Sequence, residues 1–223
     1  MTAAVIFDLD DTLYPERSFA FSGFAAVAEA FKDAFGDPER AAARMRNLFD
    51  TGHRGRVFNQ MLAEAGHSED PDLIRRIVGA YHAHRPSITL YPDADTALKR
   101  LRPTYKLGLL TDGPAVMQRA KIDALQLGPR LDAIIITDEL GPQFGKPNPR
   151  GFEILASQLG LAHAACVYVA DNAAKDFVAP NALGWNTVRI VRPEGIYRET
   201  TTADGGDPAH VIDSLDRLDE ILR

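Results

Sequence analysis

Residues 3–18 read AAVIFDLDDTLYPERS. Apolar residues run from Ala3 to Phe7, and Asp8, Asp10 and Asp11 then fall within four positions. Like charges this close cost folding free energy unless a cation sits among them. A short Val/Ile/Phe run without period-two alternation reads as a parallel strand covered on both faces. The stretch therefore predicts a buried strand that delivers carboxylates at its carboxyl end.

Three further runs have the same character: KLGLL (106–110), AIIIT (133–137) and VYVA (167–170). TVRIV (187–191) alternates more and belongs nearer an edge, and HVIDS (210–214) adds a last short strand. Helical patterns separate them. PDADTALKRLR opens at Pro92 with Asp93 as cap, GPAVMQRAKIDALQLG runs to a closing Gly128, and NPRGFEILASQLGL takes Asn148 as N-cap with Pro149 behind it. AKDFVAPNALG closes on Gly184. Strand–helix alternation of this kind predicts an α/β fold with a doubly wound parallel sheet.

Residues 16–88 break the rhythm. FAFSGFAAVAEAFKDAFG is helical in period up to Gly36, and two further helices open on Asp37–Pro38 and Asp70–Pro71. This block reads as an inserted all-helical cap domain, with residues 1–15 and 89–223 forming the core. TTADGGDPAH (201–210) reads as a surface loop, and Trp185 as packing at a helix–strand junction.

Composition narrows the function. The 223 residues carry a net charge of -6 with no Lys/Arg run, which excludes a nucleic-acid footprint and requires any anion site to be local. No segment approaches about 18 uninterrupted apolar residues, so no membrane span is expected. The opening apolar run is too short for a signal peptide and follows no basic stretch. The single cysteine, Cys166, lies within ACVYVA and reads as a buried core thiol. A cytoplasmic, reducing location fits best.

Ligands of open parallel sheets bind beyond the carboxyl ends of the strands, and here each strand ends in chemistry. The first delivers Asp8 and Asp10, the second Thr111 and Asp112, the third a loop with Lys146, and the fourth Asp171 with Asp176 five residues on. Asp8, Asp10 and Asp171 make an oxygen-rich set suited to Mg²⁺. Lys146, the Thr111 hydroxyl and nearby backbone N–H groups match phosphate oxygens. A carboxylate facing phosphorus acts as a nucleophile, and a second acid two residues along shares its side of the strand for proton transfer. Asp11 would face away as a surface or turn residue, with Thr12 bonding backbone in the turn. His82 and His84 face different directions and form no metal site. His53, Arg54 and Arg56, in the Gly-flanked TGHRGRVFN, are candidate substrate contacts.

At these residues the chain resembles the haloacid dehalogenase superfamily, through DLDDT (8–12), LLTDG (109–113), GKPNP (145–149) and VADNAAKDF (169–177). The resemblance implies a Rossmann-like core and a helical cap inserted after the first motif. It implies an aspartyl-phosphate on Asp8, general acid/base work and a metal-facing backbone carbonyl from Asp10, and phosphoryl binding by Thr111 and Lys146. Asp171 would ligate Mg²⁺, supported by Asp176 and Asn172. Ala170 stands where Gly is commoner and Asp112 where Asn is frequent; the Asp112 backbone N–H serves the phosphate either way. The leading expectation is a Mg²⁺-dependent phosphatase acting on a small phosphorylated metabolite. A phosphomutase shares all four motifs. A 2-haloacid dehalogenase lacks the second acid, so Asp10 argues against it. A phospho-aspartate signalling receiver is shorter and orders its acids differently.

Overall fold

The computed structural model describes residues 1–66 and 70–222, so residues 67–69 of the expected insert lie outside the described residues. The chain divides into two compact units, one of Met1–Glu16 with Thr89–Arg223 and one of Arg17–Ile88.

The first unit holds a six-stranded, all-parallel sheet in the order β3-β2-β1-β4-β5-β6. The strands are β1 (Ala4–Phe7), β2 (Lys106–Thr111), β3 (Ala133–Ile136), β4 (Cys166–Ala170), β5 (Asn186–Ile190) and β6 (His210–Ile212). The central strands β1 and β4 are buried along their whole length, as their unbroken apolar runs require. The order reverses at β1, which lies between β2 and β4. That reversal opens a crevice at their carboxyl ends, the ligand position of such sheets. TVRIV lies second from the edge as β5, and Thr137 leaves β3 for a 3-10 turn.

The helices are α1 (Glu16–Ala30), α2 (Lys32–Phe35), α3 (Pro38–Asp50), α4 (Val57–Glu64), α5 (Pro71–Ala83), α6 (Pro92–Leu101), α7 (Ala115–Ala124), α8 (Arg150–Leu159) and α9 (Val178–Ala182). In the core, Phe152 on α8 meets the rings of Tyr168 and Trp185 edge-on at 4.9 and 5.5 Å. Trp185 also donates its indole N–H to His163 at 2.8 Å. Helix α8 comes close because it crosses the sheet at glycines. A Cβ on Gly151 would lie 2.7 Å from Leu110, and one on Gly108 2.8 Å from Leu155.

Several helix limits differ from expectation. Asp93 does not cap α6; its carboxylate takes Arg192 at 2.6 Å and the Leu215 N–H at 2.8 Å, since a buried guanidinium outcompetes a local backbone bond. Helix α7 stops at Ala124, and the turn passes through Gln126 at φ 53°, well before Gly128. Asn148 does accept the Arg150 N–H at 2.9 Å, and α8 begins at Arg150. Helix α9 is shorter than 174–184 because residues 172–176 fold into a turn around the Asp176 carboxylate, which accepts the Asn172 N–H. The 201–210 loop is tied down by Asn181, which donates to the carbonyls of Gly205 and Asp207.

The second unit is helical. Its 19–36 segment is not one helix: Phe31, at φ -120° and ψ 32°, separates α1 from α2, an interruption that leaves the apolar spacing unchanged. Asp37 and Asp70 each accept backbone N–H groups at the starts of α3 and α5. Rings of Phe24, Phe49, Phe58 and Tyr81 form its aromatic centre. Among the described residues no helix is long and apolar enough to cross a membrane.

Candidate active site

The β1 strand hands directly into the site. The Asp8 N–H still donates to the Val169 carbonyl at 2.9 Å, so the ladder between β1 and β4 fixes where Asp8 begins. Its carboxylate accepts Lys146 Nζ at 2.6 Å. Lys146 also lies 2.8 Å from Asp176 Oδ1 and donates to the Tyr168 hydroxyl at 3.0 Å, with its side chain only 1% exposed. Burial alone would depress this ammonium's pKa, but Asp176 and Asp8 outweigh burial and hold it well above the ordinary lysine value.

One ammonium does not balance the acids around it. Carboxylate oxygens of Asp8, Asp171 and Asp176 lie within 4.8 Å of one another, all buried. Asp171 Oδ2 is buried with no hydrogen-bond partner. Burial, then Asp8 and Asp176, push the Asp171 carboxyl well above the usual carboxylate range. Burial likewise raises Asp8 to about 7, against the pull of Lys146. Excess negative charge and an orphaned oxygen are what a hard divalent cation relieves, so this donor set fits Mg²⁺.

The Asp10 carboxylate stands outside the buried set of Asp8, Asp171 and Asp176, which leaves its backbone carbonyl as the group that would face a metal. The Asp10 carboxylate instead accepts Lys121 Nζ at 2.7 Å, Gln118 Nε2 at 3.1 Å and the Tyr14 hydroxyl. Burial works to raise its pKa, but Lys121, Tyr14 and Gln118 prevail and hold it below the usual range. Gln118 also donates to Thr111 Oγ1 at 2.7 Å and to the Asp112 carbonyl. The Asp112 side chain is structural: it accepts the Thr137 hydroxyl at 2.8 Å, the Lys146 N–H at 3.1 Å and Lys175 Nζ at 2.7 Å. Burial opposes this, yet Lys146 and Lys175 keep the Asp112 carboxyl low. Asn172 shapes the turn by accepting the Ala174 N–H.

Asp11 is a turn residue, as expected, but a buried one. At φ 48° and 2% exposure, it accepts the Glu16 N–H on Oδ1 at 2.8 Å and the Ile196 N–H on Oδ2 at 2.7 Å. Thr12 Oγ1 is buried and makes no hydrogen bond among the described residues, contrary to a backbone-bonding role. The groups converge on a cavity of about 240 Å³ in the first unit, lined by Asp8, Asp10, Thr111, Asp112 and Asp171 together with Glu16, Met117, Lys121, Lys175 and Tyr197. The Glu16 carboxyl is raised to about 8 by burial and then by Asp10.

Sequence reasoning missed Gln118 and Lys121. Their signal was available: they share the stripe of Ile122 on α7 and of Leu125 just past its end, so polar residues occupied core positions at helical spacing. Glu16, Lys175 and Tyr197 gave no such signal. His53, Arg54 and Arg56 all lie exposed in the second unit, around the 3-10 turn Arg54–Arg56. There the Arg54 guanidinium stands 5.0 Å over the Phe49 ring.

Residues 2–184 match the family model described as haloacid dehalogenase-like hydrolase. The chain is similar to a glyceraldehyde 3-phosphate phosphatase of Methanopyrus kandleri, with 32% identity over 100% of the chain and 98% of the relative. It is also similar to a glyceraldehyde 3-phosphate phosphatase of Methanocaldococcus jannaschii, with 30% identity over 100% of this chain and 98% of that one. Among solved structures, a HAD phosphatase from Thermococcus onnurineus superposes with a TM-score of 0.64 at 25% identity, covering 99% of this chain and 98% of the other.

Proposed function

Because the chain belongs to the haloacid dehalogenase-like hydrolase family, we propose that it is a Mg²⁺-dependent phosphatase of a small phosphomonoester, working through an aspartyl-phosphate on Asp8. The observation that carries this reading is the buried set of Asp8, Asp171 and Asp176 facing one ammonium, Lys146. Asp8, Asp171 and the Asp10 backbone carbonyl would hold the metal, with Asp176 behind them; bound there, Mg²⁺ supplies electrostatic neutralisation of the phosphoryl oxygens.

The chain's own residues account for the remaining steps. An Asp8 carboxylate oxygen attacks phosphorus, and the bond to the ester oxygen breaks. Lys146, the Thr111 hydroxyl and the Asp112 backbone N–H take the phosphoryl oxygens. Entry of the phosphate dianion raises the Asp10 carboxyl, letting it give a proton to the departing alkoxide. Asp10, ionised again and held by Lys121, then takes a proton from the water that attacks the phosphoryl group. Phosphate leaves and Asp8 is restored. Residues 17–88 act as the cap that limits the site to small substrates, and His53, Arg54 and Arg56 are proposed substrate contacts on it. One buried thiol, Cys166, suits a reducing, cytoplasmic setting.

Release of inorganic phosphate from a panel of phosphometabolites, with and without Mg²⁺, tests the reading. Wild-type protein is expected to turn over at least one small phosphomonoester only with Mg²⁺, and Asp8→Asn to lose at least a thousandfold in kcat. Full turnover by Asp8→Asn would overturn the nucleophile assignment.

A further inference from the structure

We propose that Glu16 reads the leaving group, selecting phosphomonoesters whose alcohol carries uncharged hydroxyls and rejecting those with an anionic group beside the ester. This rests on the phosphatase reading above.

Glu16 lines the same cavity as Asp8 and Thr111, yet it belongs to none of the four motifs. Its carboxylate makes no hydrogen bond or ion pair among the described residues, whereas each other acid around it has a nitrogen donor or shares the metal cluster. It is half-buried at the cavity wall. A partly desolvated carboxyl group aimed into a cavity lacks a partner that a ligand can supply. Its position is not accidental. The backbone N–H of Glu16 is held by one oxygen of Asp11 at 2.8 Å, and the other oxygen holds the N–H of Ile196 at 2.7 Å. Ile196 precedes Tyr197, whose 38% exposed ring lines the same cavity. One buried carboxylate thus fixes two walls at once: a polar one at Glu16 and an aromatic one at Tyr197.

The chemistry of this wall sorts the candidates. A second carboxylate or phosphate on the substrate would face Glu16 with Asp10 nearby, and like charges there are penalised. An ammonium would be drawn to Glu16 but would meet Lys121 and Lys175 lining the same cavity. A hydroxyl donates to Glu16 without either conflict, and a small polyol phosphate is of a size with the 240 Å³ available.

The test compares kcat/KM at pH 9, above the value of about 8 to which the Glu16 carboxyl is raised, so that the group is ionised. The substrates are glycerol 3-phosphate, the ester of an uncharged polyol, and phosphoglycolate, whose carboxylate adjoins the ester, in wild type, Glu16→Gln and Glu16→Asp. Wild type is expected to prefer glycerol 3-phosphate by at least tenfold. Glu16→Gln should cut that preference by about tenfold by removing the anion. Glu16→Asp keeps the charge and should retain most of it, which separates charge reading from a merely structural role at the start of α1. A wild-type preference for phosphoglycolate, or a preference unchanged in Glu16→Gln, would overturn the inference while leaving the phosphatase reading intact. Failure of the wild type to hydrolyse these esters and p-nitrophenyl phosphate alike would overturn both.

Discussion

Lys121 is the residue on which the ionisation of Asp10 depends. Its side chain is 2% exposed and that of Asp10 20%, so removing the ammonium leaves a largely buried carboxylate without its cation. Lys121→Met is expected to cost about 3 kcal/mol of stability, measured by urea unfolding. With its nearest cation gone the Asp10 carboxyl rises, so the basic limb of the kcat/KM profile, set by the proton Asp10 gives the leaving group, should move to higher pH; an unshifted limb would show that Lys121 does not tune Asp10. Cys166 offers a simpler check. Burial pushes its thiol up to about 11 and leaves it 1% exposed, so the native protein should resist alkylation at pH 8 and react fully in denaturant. The motif residues could be located in the sequence because each follows a strand, and strand ends are where such sheets bind ligands. Lys121 and Gln118 could have been found from their core spacing. Glu16 and Tyr197 could not, because what brings them to the cavity is Asp11, whose backbone sits in the left-handed region and whose two oxygens reach 5 and 185 residues along the chain.

At the scale of elements, the strands were legible nearly to the residue, since burial on both faces leaves an unbroken apolar run that polar flanks delimit. Helix ends were less so. Asp37 and Asp70 cap as their Asp–Pro pairs announce, whereas Asp93 is drawn away by Arg192, a partner 99 residues distant that no local pattern reveals. Asp70→Ala should therefore cost about 1 kcal/mol, while Asp93→Ala should cost more, because it strands a guanidinium whose side chain is 6% exposed. Equal losses in paired denaturation curves would contradict this. Gly108→Ala tests the β2–α8 approach: the added methyl would meet Leu155 at 2.8 Å and Ile6 at 3.1 Å, and a loss of about 1–2 kcal/mol is expected.

At the scale of the whole molecule, the unneutralised acids give stability a pH dependence of definite sign. The folded-state pKa values of Asp8 and Asp171 lie above their unfolded values. Their contribution is thus fully present below about pH 4 and is lost as pH rises through about 7, the folded value of Asp8. In EDTA the Tm should fall between pH 5 and 8. Added Mg²⁺ should raise the Tm at pH 8 by mass action on the folded state, and Asp171→Asn should abolish that rise. A Tm indifferent to Mg²⁺ would count against the metal site. One bond made far from this chemistry has a wider consequence. The Tyr91 N–H donates to the Leu13 carbonyl at 2.9 Å, which stitches together the two places where the chain departs for residues 17–88 and returns. Departure and return are neighbours whatever lies between them. A change in the length or content of that excursion therefore leaves both of its anchor points, and the strand ends that carry the acids, where they stand.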